Sequence, residues 1–595
     1  MSSDIWIICR IIQSGNKRIG ILAELLDNKC DWKKRVVLHT LYWSFFSAVW
    51  IFLFWRCRYG YADADESFYL TIPYRLYQGD KLFLHEWHLS QTSSLLLWPI
   101  MRIYLALFRD TTGIALHFRW IFTAVWGLTA LFIEKRLKCF SDTGAKLSAV
   151  VFLVFTSNGV MALNYNTLGI LLLLSSCVLC ITSDVNCKIQ FYCAGLLFAG
   201  AVMCCPYLLI LFLCSSLMAL VAFFVNRKDL TYCWCFASLG AITAFIVFCV
   251  YLLSKAPLSD YMEVFPFLLQ DPEHEMVSVF QKTWTLFYSA SLSSPIFMPG
   301  MGLAAIVTIA ACRFGKHRAG FIVVCAISSA LLISYWANEK ALLNQLMFPL
   351  SVVGLYCVTV SNDRINRRVF TGLWLPGFVY GFCINLSSNQ YFFAFSSVSL
   401  LMSVASIIIA CRYIERERNK RADSSTIIRE KWLILAFSVL MVVQIGTELD
   451  FRYEKVFWDS EDIQKQTNLI ETGPNSGIRV SDNKYAFYKQ ATADLTEICS
   501  RPEVKKILIL SNQSGLYLMA EREYATYSAW LYSLDTLHQY YALFPEKKPD
   551  AVYVSGDYYL QAVPEFLESG FVIDRIDENA ETAILYPARI ISGRI

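Results

Sequence analysis

The sequence predicts a polytopic, all-α membrane domain followed by a small extracytoplasmic α/β domain. Of its 595 residues, 56% are hydrophobic and only 17% are charged, whereas soluble domains carry about 25% charged residues. Apolar runs such as 36–57, 233–253 and 391–411 approach or reach the roughly 20 residues that span a hydrocarbon core as a helix. After residue 450, short β-like runs alternate with helical patterns, which is typical of a small α/β domain.

Charge is unevenly distributed along the chain. Residues 450–595 contain 15 Lys and Arg against 22 Asp and Glu, whereas the preceding residues contain 37 against 26. Basic residues accumulate in the cytoplasmic loops of membrane proteins, so this excess indicates topology, and we expect no nucleic-acid partner. The 20 cysteines lie mostly in apolar runs and predict no disulfide framework. Residues 1–35 lack the pattern of a cleaved signal peptide.

Lys33, Lys34 and Arg35 directly precede the first apolar run. They predict that residues 1–35 are cytoplasmic and that the loop from residue 58 faces outward. Twelve further runs follow, at 114–133, 147–163, 168–183, 189–204, 207–225, 233–253, 296–312, 319–336, 346–360, 370–386, 391–411 and 432–449. Together they predict about 13 transmembrane helices in a cell membrane.

The run Ser93–Phe108 is predicted to lie flat at the membrane surface. If it crossed, basic loops such as 134–138 would face outward, whereas a flat helix places every basic loop inside. This topology predicts that the chain has three parts. The second part would carry two external loops, at 58–113 and 254–295. The parts are a cytoplasmic segment 1–35, a transmembrane domain 36–449 and an extracytoplasmic α/β domain 450–595.

The first external loop carries the most acidic motif near a membrane helix, YADADESFY at Tyr61–Tyr69. One interpretation is a solvated cap for a helix that starts near Ser67. The other is a carboxylate that deprotonates an acceptor hydroxyl. Both interpretations place the acidic side chains at the outer membrane surface.

At these residues the sequence resembles the GT-C superfamily of glycosyltransferases, which includes protein O-mannosyltransferases and aminoarabinose transferases. The pattern consists of Asp65-Glu66 after the first span, Tyr69, the pair Gly79-Asp80, and a flat helix. The segments DESFYLTIPYRLYQGD, HEWHLSQTSSLLL, LNYNTLG, QDPEHE and YSAW are similar to a group of bacterial members. The resemblance covers most of the chain, although each motif is short.

The resemblance implies transfer of a sugar from a polyprenyl-phosphate carrier to an extracytoplasmic acceptor, with inversion. The acceptor would be a cell-envelope glycan, a lipid or a protein. Asp65 matches the catalytic acid of the family and would be the base, with Glu66 orienting it. Tyr69 and Asp80 would contact substrate. Many members carry a second acid where this chain has Asn166, which can only position a substrate.

The sequence does not identify which basic residue contacts the carrier phosphate, because the chain lacks the Lys-Pro-Pro-like segment that precedes the flat helix in many members. Arg75 and Lys340 lead the outer-face candidates, although basic residues at span ends are often interfacial anchors. His88, in the aromatic cluster before the flat helix, is a further predicted substrate contact.

The second external loop carries potential metal ligands. Asp271 and His274, with Asp63 and Asp65 of the first loop, could bind Mg²⁺ or Mn²⁺. His274 could instead contact a phosphate or sugar. A helix that starts at a proline and has an acidic first turn explains the same residues without a metal.

Two other classes of function fit a polytopic chain with external loops. A flippase for lipid-linked glycans would need ionisable residues near the bilayer midplane, and the predicted mid-spans are almost free of charge. A non-catalytic envelope scaffold would tolerate loss of Asp65. The tail lacks a glycine-rich phosphate loop and a nucleophile elbow, so no catalysis is assigned to it.

Overall fold

The computed structural model describes residues 36–61, 65–155, 157–268, 277–338, 343–419, 424–454, 462–530 and 533–592. The chain separates into two units, Met1–Trp55 and Arg56–Ile595. The described residues of the first unit all belong to helix α1 (Val36–Arg56).

Apolar runs become helices because a helix satisfies its own backbone hydrogen bonds where water is absent. The helices that follow α1 are α2 (Asp65–Gln78), α3 (Ser94–Phe108), α4 (Ile114–Leu137), α5 (Asp142–Val154), α6 (Tyr165–Thr182), α7 (Lys188–Cys204), α8 (Leu209–Phe224), α9 (Lys228–Lys255), α10 (Leu258–Leu268), α11 (Val279–Ser293), α12 (Phe297–Phe314), α13 (His317–Trp336), α14 (Leu343–Val360), α15 (Arg364–Val369), α16 (Leu375–Ser387), α17 (Tyr391–Ser396), α18 (Leu400–Asn419) and α19 (Ser424–Glu454). A π-helical turn, Phe370–Trp374, joins α15 to α16.

Within the described ranges, nine helices are long and apolar enough to cross a membrane. They are α1, α4, α6, Pro206–Phe224, α9, α12, α13, Arg364–Ser387 and Lys431–Glu454. Two shorter apolar helices, Lys188–Cys204 and Asn344–Val360, also coincide with predicted runs. A mostly helical membrane protein is therefore confirmed, while the direction of each crossing stays a prediction.

For two of the predicted spans, the prediction of one continuous helix is wrong. In the run 147–163, α5 ends at Val154, and a turn follows in which Asn158 adopts a left-handed φ of 57°, as asparagine does more readily than most residues. The run 391–411 divides into α17 and α18. There, the hydroxyls of Ser396, Ser397 and Ser399 donate to carbonyl oxygens three residues earlier and so compete with the helical backbone.

The predicted flat helix is present as α3. Its buried residues Leu97, Met101 and Leu105 recur every four residues, while Ile103 and Leu107 are exposed on the opposite side. The described part of the segment 254–295, which was predicted to be an external loop, folds largely into α10 and α11. Both features are consistent with the predicted surface helices.

The C-terminal part contains a five-stranded mixed sheet, which confirms the predicted small α/β domain. Strand order is β4-β3-β5-β7-β6, with β3 parallel to β4 and β5, and β7 antiparallel to β5 and β6. The strands are β1 (Asn468–Leu469), β2 (Arg479–Val480), β3 (Lys506–Leu510), β4 (Glu523–Tyr524), β5 (Ala551–Ser555), β6 (Phe571–Asp577) and β7 (Thr582–Pro587). The helices are α20 (Asp482–Ser500), α21 (Leu516–Ala520), α22 (Leu534–Leu543), α23 (Asp557–Leu560), α24 (Val563–Glu568) and α25 (Ala588–Ser592).

One hydrophobic core contains residues of this domain and of the segment between α2 and α3. Leu84 and Trp87, which precede α3, belong to the same buried cluster as Val264 of α10 and Leu508 and Val552 of the sheet. The Trp87 ring stacks on Phe267 at a centroid distance of 5.1 Å. The segment predicted to hold the active site is therefore packed directly against the C-terminal domain.

Candidate active site at the start of helix α2

The acidic segment leads into helix α2, which begins at Asp65. The structure describes the backbone of Asp65, and its side chain lies outside the described part. The C-terminal domain holds the segment before it. The Gly60 amide donates to the carbonyl oxygen of Arg479 (2.8 Å), and the Arg479 amide donates to that of Arg58 (2.7 Å). Lys484 Nζ donates to the carbonyl oxygen of Tyr61 (2.6 Å).

Glu66 is buried in an ion pair that fixes the first turn of α2. Both carboxylate oxygens accept from Arg119 of α4, with Arg119 Nη2 at 2.6 Å from Oε2. Arg119 also donates to the carbonyl oxygens of Cys57 (2.6 Å) and Gly60 (2.8 Å). With its oxygens engaged, Glu66 orients the start of α2. The predicted role of Glu66 in orienting Asp65 stays a prediction, and Asp65 remains the candidate base.

The carboxyl end of β3 lies against the same turn. Ser67 and Ser514 share a hydrogen bond between their hydroxyl oxygens (2.9 Å). At Gly515 an added Cβ would lie 2.7 Å from Tyr61 Oη and 3.0 Å from Ser67 Cβ, so a larger residue would crowd this contact.

Replacement of Gly515 by Ala is expected to lower the free energy of unfolding by about 1–3 kcal/mol, because the added methyl group overpacks the contact with Ser67 and Tyr61. Transfer activity should fall as the start of α2 shifts. The matched control is Gly302→Ala in α12, where no described atom lies within 4 Å of the added carbon. Thermal unfolding in detergent compares them, and equal stability of the two variants would contradict the assigned packing.

An aromatic cluster lines the next turn of α2. The Phe68 ring meets His88 at 4.8 Å and Trp530 at 4.9 Å, both edge-on. Tyr69 meets Tyr165 at 5.5 Å. Two predicted substrate contacts, Tyr69 and His88, therefore lie around the start of α2. Among the described residues, the buried indole Nε1 of Trp530 has no hydrogen-bond partner.

Asn166 lies in the first turn of α6, directly after Tyr165. It is buried, and its Oδ1 has no partner within the described ranges. Buried amide oxygens are normally satisfied, so this one is available to a donor such as a sugar hydroxyl. The role of Asn166 as a substrate contact stays a prediction.

Arg75 and Asp80 form a closed network instead of an open site. Arg75 is 1% exposed. Its Nη1 donates to Glu86 Oε2 (2.9 Å), its Nε donates to Asp80, and its Nη2 donates to the carbonyl oxygens of His85 and Thr526. These contacts give both residues a structural role, because the polar atoms already have protein partners, and their predicted contacts with substrate stay predictions.

Lys547 adds a second cation to this network by donating to Asp80. Burial alone would raise the pKa of Asp80, but Arg75, His85 and Lys547 lower it well below its usual range. Burial raises the pKa of Glu86 to about 7, against the opposing effect of Arg75. The network therefore ties the loop after α2 to the C-terminal domain through the charged groups of Arg75, Asp80 and Lys547.

A second group of buried charges lies near the end of α19. Arg56 Nε donates to the carbonyl oxygen of Arg452 (2.9 Å), and Gln444 Nε2 donates to Glu448 Oε1 (3.1 Å). Arg452 is 5% exposed and Glu448 is fully buried. In the described part of the chain, Arg452 Nε and Glu448 Oε2 have no hydrogen-bond partner.

The Arg452 guanidinium interacts electrostatically with Cys57, Glu448 and Arg119. Since Arg119 is the partner of Glu66, this guanidinium belongs to the surroundings of the first turn of α2. Burying a charge without a hydrogen-bonded partner costs several kcal/mol. The planar fork of arginine matches a phosphate group, so the arrangement suits an anion beside the start of α2.

The predicted metal site is only partly covered by the structure. Asp63, Asp271 and His274 lie outside the described residues, as does the predicted phosphate contact Lys340. Within the described ranges, no group of three or more His, Cys, Asp or Glu side chains could hold a metal ion. The metal ligands therefore stay predictions.

Sequence reasoning missed Arg119, Arg452, Ser514 and Lys484. Arg119 had a signal, because it is a cation inside the apolar run 114–133 and such residues usually have a buried partner. The contact between Ser67 and Ser514 joins residues 447 positions apart, and no local pattern identifies such a pair.

Comparisons with known proteins give a distant likeness to a solved structure. No family model matches the chain, and no curated protein matches it. The chain is similar to the crystal structure of ArnT from Cupriavidus metallidurans bound to undecaprenyl phosphate, with 12% sequence identity over 92% of this chain and 97% of that chain and a TM-score of 0.41. An identity and a TM-score this low support no assignment by themselves.

Proposed function

We propose that the chain is a membrane glycosyltransferase of the GT-C type that moves a sugar from a polyprenyl-phosphate carrier to an extracytoplasmic acceptor. Asp65 is the base that deprotonates the acceptor hydroxyl, and Glu66 positions it. The observation that carries the proposal is the buried Glu66–Arg119 ion pair, which holds the first turn of α2 against the N-terminal part of α4. A single displacement with inversion requires a positioned base, and this pair anchors the turn that carries Asp65.

Arg452 is the proposed cation for the carrier phosphate. Its guanidinium lies near Arg119, is buried, and has an Nε without a partner among the described residues. A phosphate leaving group develops negative charge as its bond to the sugar breaks, and a pre-positioned guanidinium stabilises that charge. The proposal assigns to Arg452 the role that the sequence first offered to Arg75 and Lys340.

The distribution of buried charge favours this reaction over transport. Arg119 lies near the N-terminal end of α4, and Glu448 and Arg452 lie near the C-terminal end of α19. Arg452 and Arg119 interact, so these ends meet on one side of the helical domain. A transport path instead needs ionisable groups near the bilayer midplane.

The proposal is tested with the purified full-length protein and a panel of labelled polyprenyl-phosphate sugars. We expect release of free polyprenyl phosphate with one donor when an extract of envelope glycans, lipids and proteins supplies the acceptor. Absence of release with every donor would contradict the enzyme assignment.

Replacement of Arg452 by Gln is expected to weaken the binding of polyprenyl phosphate about 10- to 100-fold. This is the equivalent of one charge-assisted hydrogen bond of about 1.5–3 kcal/mol. Arg452→Lys should bind with intermediate strength, since it keeps the charge and loses the fork. Inhibition of transfer by added polyprenyl phosphate measures the affinity. Arg102→Gln is the control, because Arg102 is exposed on α3; an equal loss in both variants would refute the assignment.

A further inference from the structure

A small cavity lies between Tyr61 and the C-terminal domain, beside the segment that leads into α2. Its volume is about 190 Å³. Three aromatic residues contribute to its lining, Tyr61, Phe487 and Tyr488, and so do four polar ones, Asn475, Asn483, Lys484 and Gln513. Drug-sized ligands occupy about 300–1,000 Å³, so the cavity fits one small ring and not an extended chain.

Asn475 is a buried residue in the lining of the cavity. The residue is 4% exposed, and its side-chain Oδ1 has no hydrogen-bond partner among the described residues. Its backbone amide donates to Tyr488 Oη (3.3 Å), which in turn donates to the carbonyl oxygen of Thr472 (3.0 Å). These contacts hold the Tyr488 ring and the backbone of Asn475 in place on one side of the cavity.

The lining has the chemistry of a carbohydrate site. A pyranose ring has apolar C–H faces that pack on aromatic rings, and its edge carries hydroxyls that pair with amides. Aromatic walls with a few placed polar groups are typical of small-molecule sites. The aliphatic side chains of Ile470 and Val480 complete the apolar wall.

The cavity also lies close to the proposed base. Lys484 Nζ donates to the carbonyl oxygen of Tyr61, and Tyr61 precedes Asp65 by four residues. Four extended residues span at most about 14 Å, which is within the length of a short oligosaccharide. A sugar in the cavity could therefore belong to a glycan whose reacting hydroxyl reaches Asp65.

We propose that this cavity binds a pyranose ring of the acceptor, so that the acceptor is a glycan. The identification of the bound sugar as the acceptor rests on the proposed function, whereas the presence of a sugar site in the C-terminal domain does not.

Saturation-transfer difference NMR on the full-length protein in detergent tests the site. The probes are methyl glycosides of glucose, galactose, mannose and N-acetylglucosamine, with a serine-containing tripeptide as the non-sugar probe. We expect one glycoside to bind, and its affinity to fall at least about tenfold in Asn475→Ala and in Phe487→Ala. Asn579→Ala, at an exposed position between β6 and β7, should bind as the parent protein does.

Each other outcome overturns the proposal: no glycoside binds, the tripeptide binds instead, or the variants at 475 and 487 bind as tightly as the parent. Phe487 is only partly buried, so its variant keeps the test valid if the change at Asn475 disturbs folding. Glycoside binding needs neither donor nor turnover, which makes its failure distinguishable from failure of the transfer reaction. If transfer occurs, both variants should raise the acceptor KM and leave kcat unchanged.

Discussion

Replacement of Asp65 by Asn is expected to lower kcat for sugar transfer by about 10²- to 10⁴-fold, the usual contribution of a positioned general base. The amide has the shape of the carboxylate and cannot accept the proton of the acceptor hydroxyl. Asparagine also serves well at a helix start, so α2 should form normally. The measurement is the rate of polyprenyl phosphate release at saturating donor.

The matched control for this variant is Asp260→Asn in the first turn of α10, a half-buried carboxylate on another helix. Its turnover should equal that of the parent protein, and all three proteins should unfold at the same temperature. Undiminished turnover by the Asp65 variant would remove Asp65 from the mechanism, even if the chain is a transferase.

Replacement of Glu66 by Gln is expected to lower the free energy of unfolding by about 3–5 kcal/mol, because Arg119 is left buried without a counter-charge. Arginine does not lose its proton in proteins, so it has no route to neutrality. Activity should be lost as well, since the first turn of α2 loses its anchor. Chemical denaturation in detergent measures the stability.

The double variant Glu66→Gln, Arg119→Met separates the charge from the packing. Removing the guanidinium abolishes the uncompensated charge, so the double variant should recover much of the stability lost in Glu66→Gln without recovering transfer activity. A single variant as stable as the parent protein would show that the ion pair does not hold α2.

Much of the fold was predictable because its signals are local. Strands Lys506–Leu510 and Ala551–Ser555 have the bounds expected from their short apolar runs. Helix α3 also lies where its apolar run predicted it. The break between α17 and α18 was not predictable from hydropathy, because serines that bond back to the helix look like ordinary small residues in an apolar run.

The site was predictable only at its acidic centre. Asp65 and Glu66 stand out in sequence because they follow a membrane helix, whereas the function of a cation depends on its tertiary partners. Arg75 looked like an outer-face cation, but its acceptors include Thr526, 451 positions away. Arg452 follows the predicted run 432–449, where a basic residue has no distinctive sequence signal. Only its burial beside Arg119 makes it a candidate for binding the carrier phosphate.

The most direct test of the central claim uses proteoliposomes that contain the purified chain and a polyprenyl-phosphate sugar labelled separately in the sugar and in the lipid. A transferase cleaves the bond between them, so we predict that free polyprenyl phosphate and glycosylated acceptor appear in equal amounts, and that neither appears with the Asp65→Asn variant. Movement of the intact, uncleaved donor between the two leaflets, with no product formed, would contradict the account and identify a transporter.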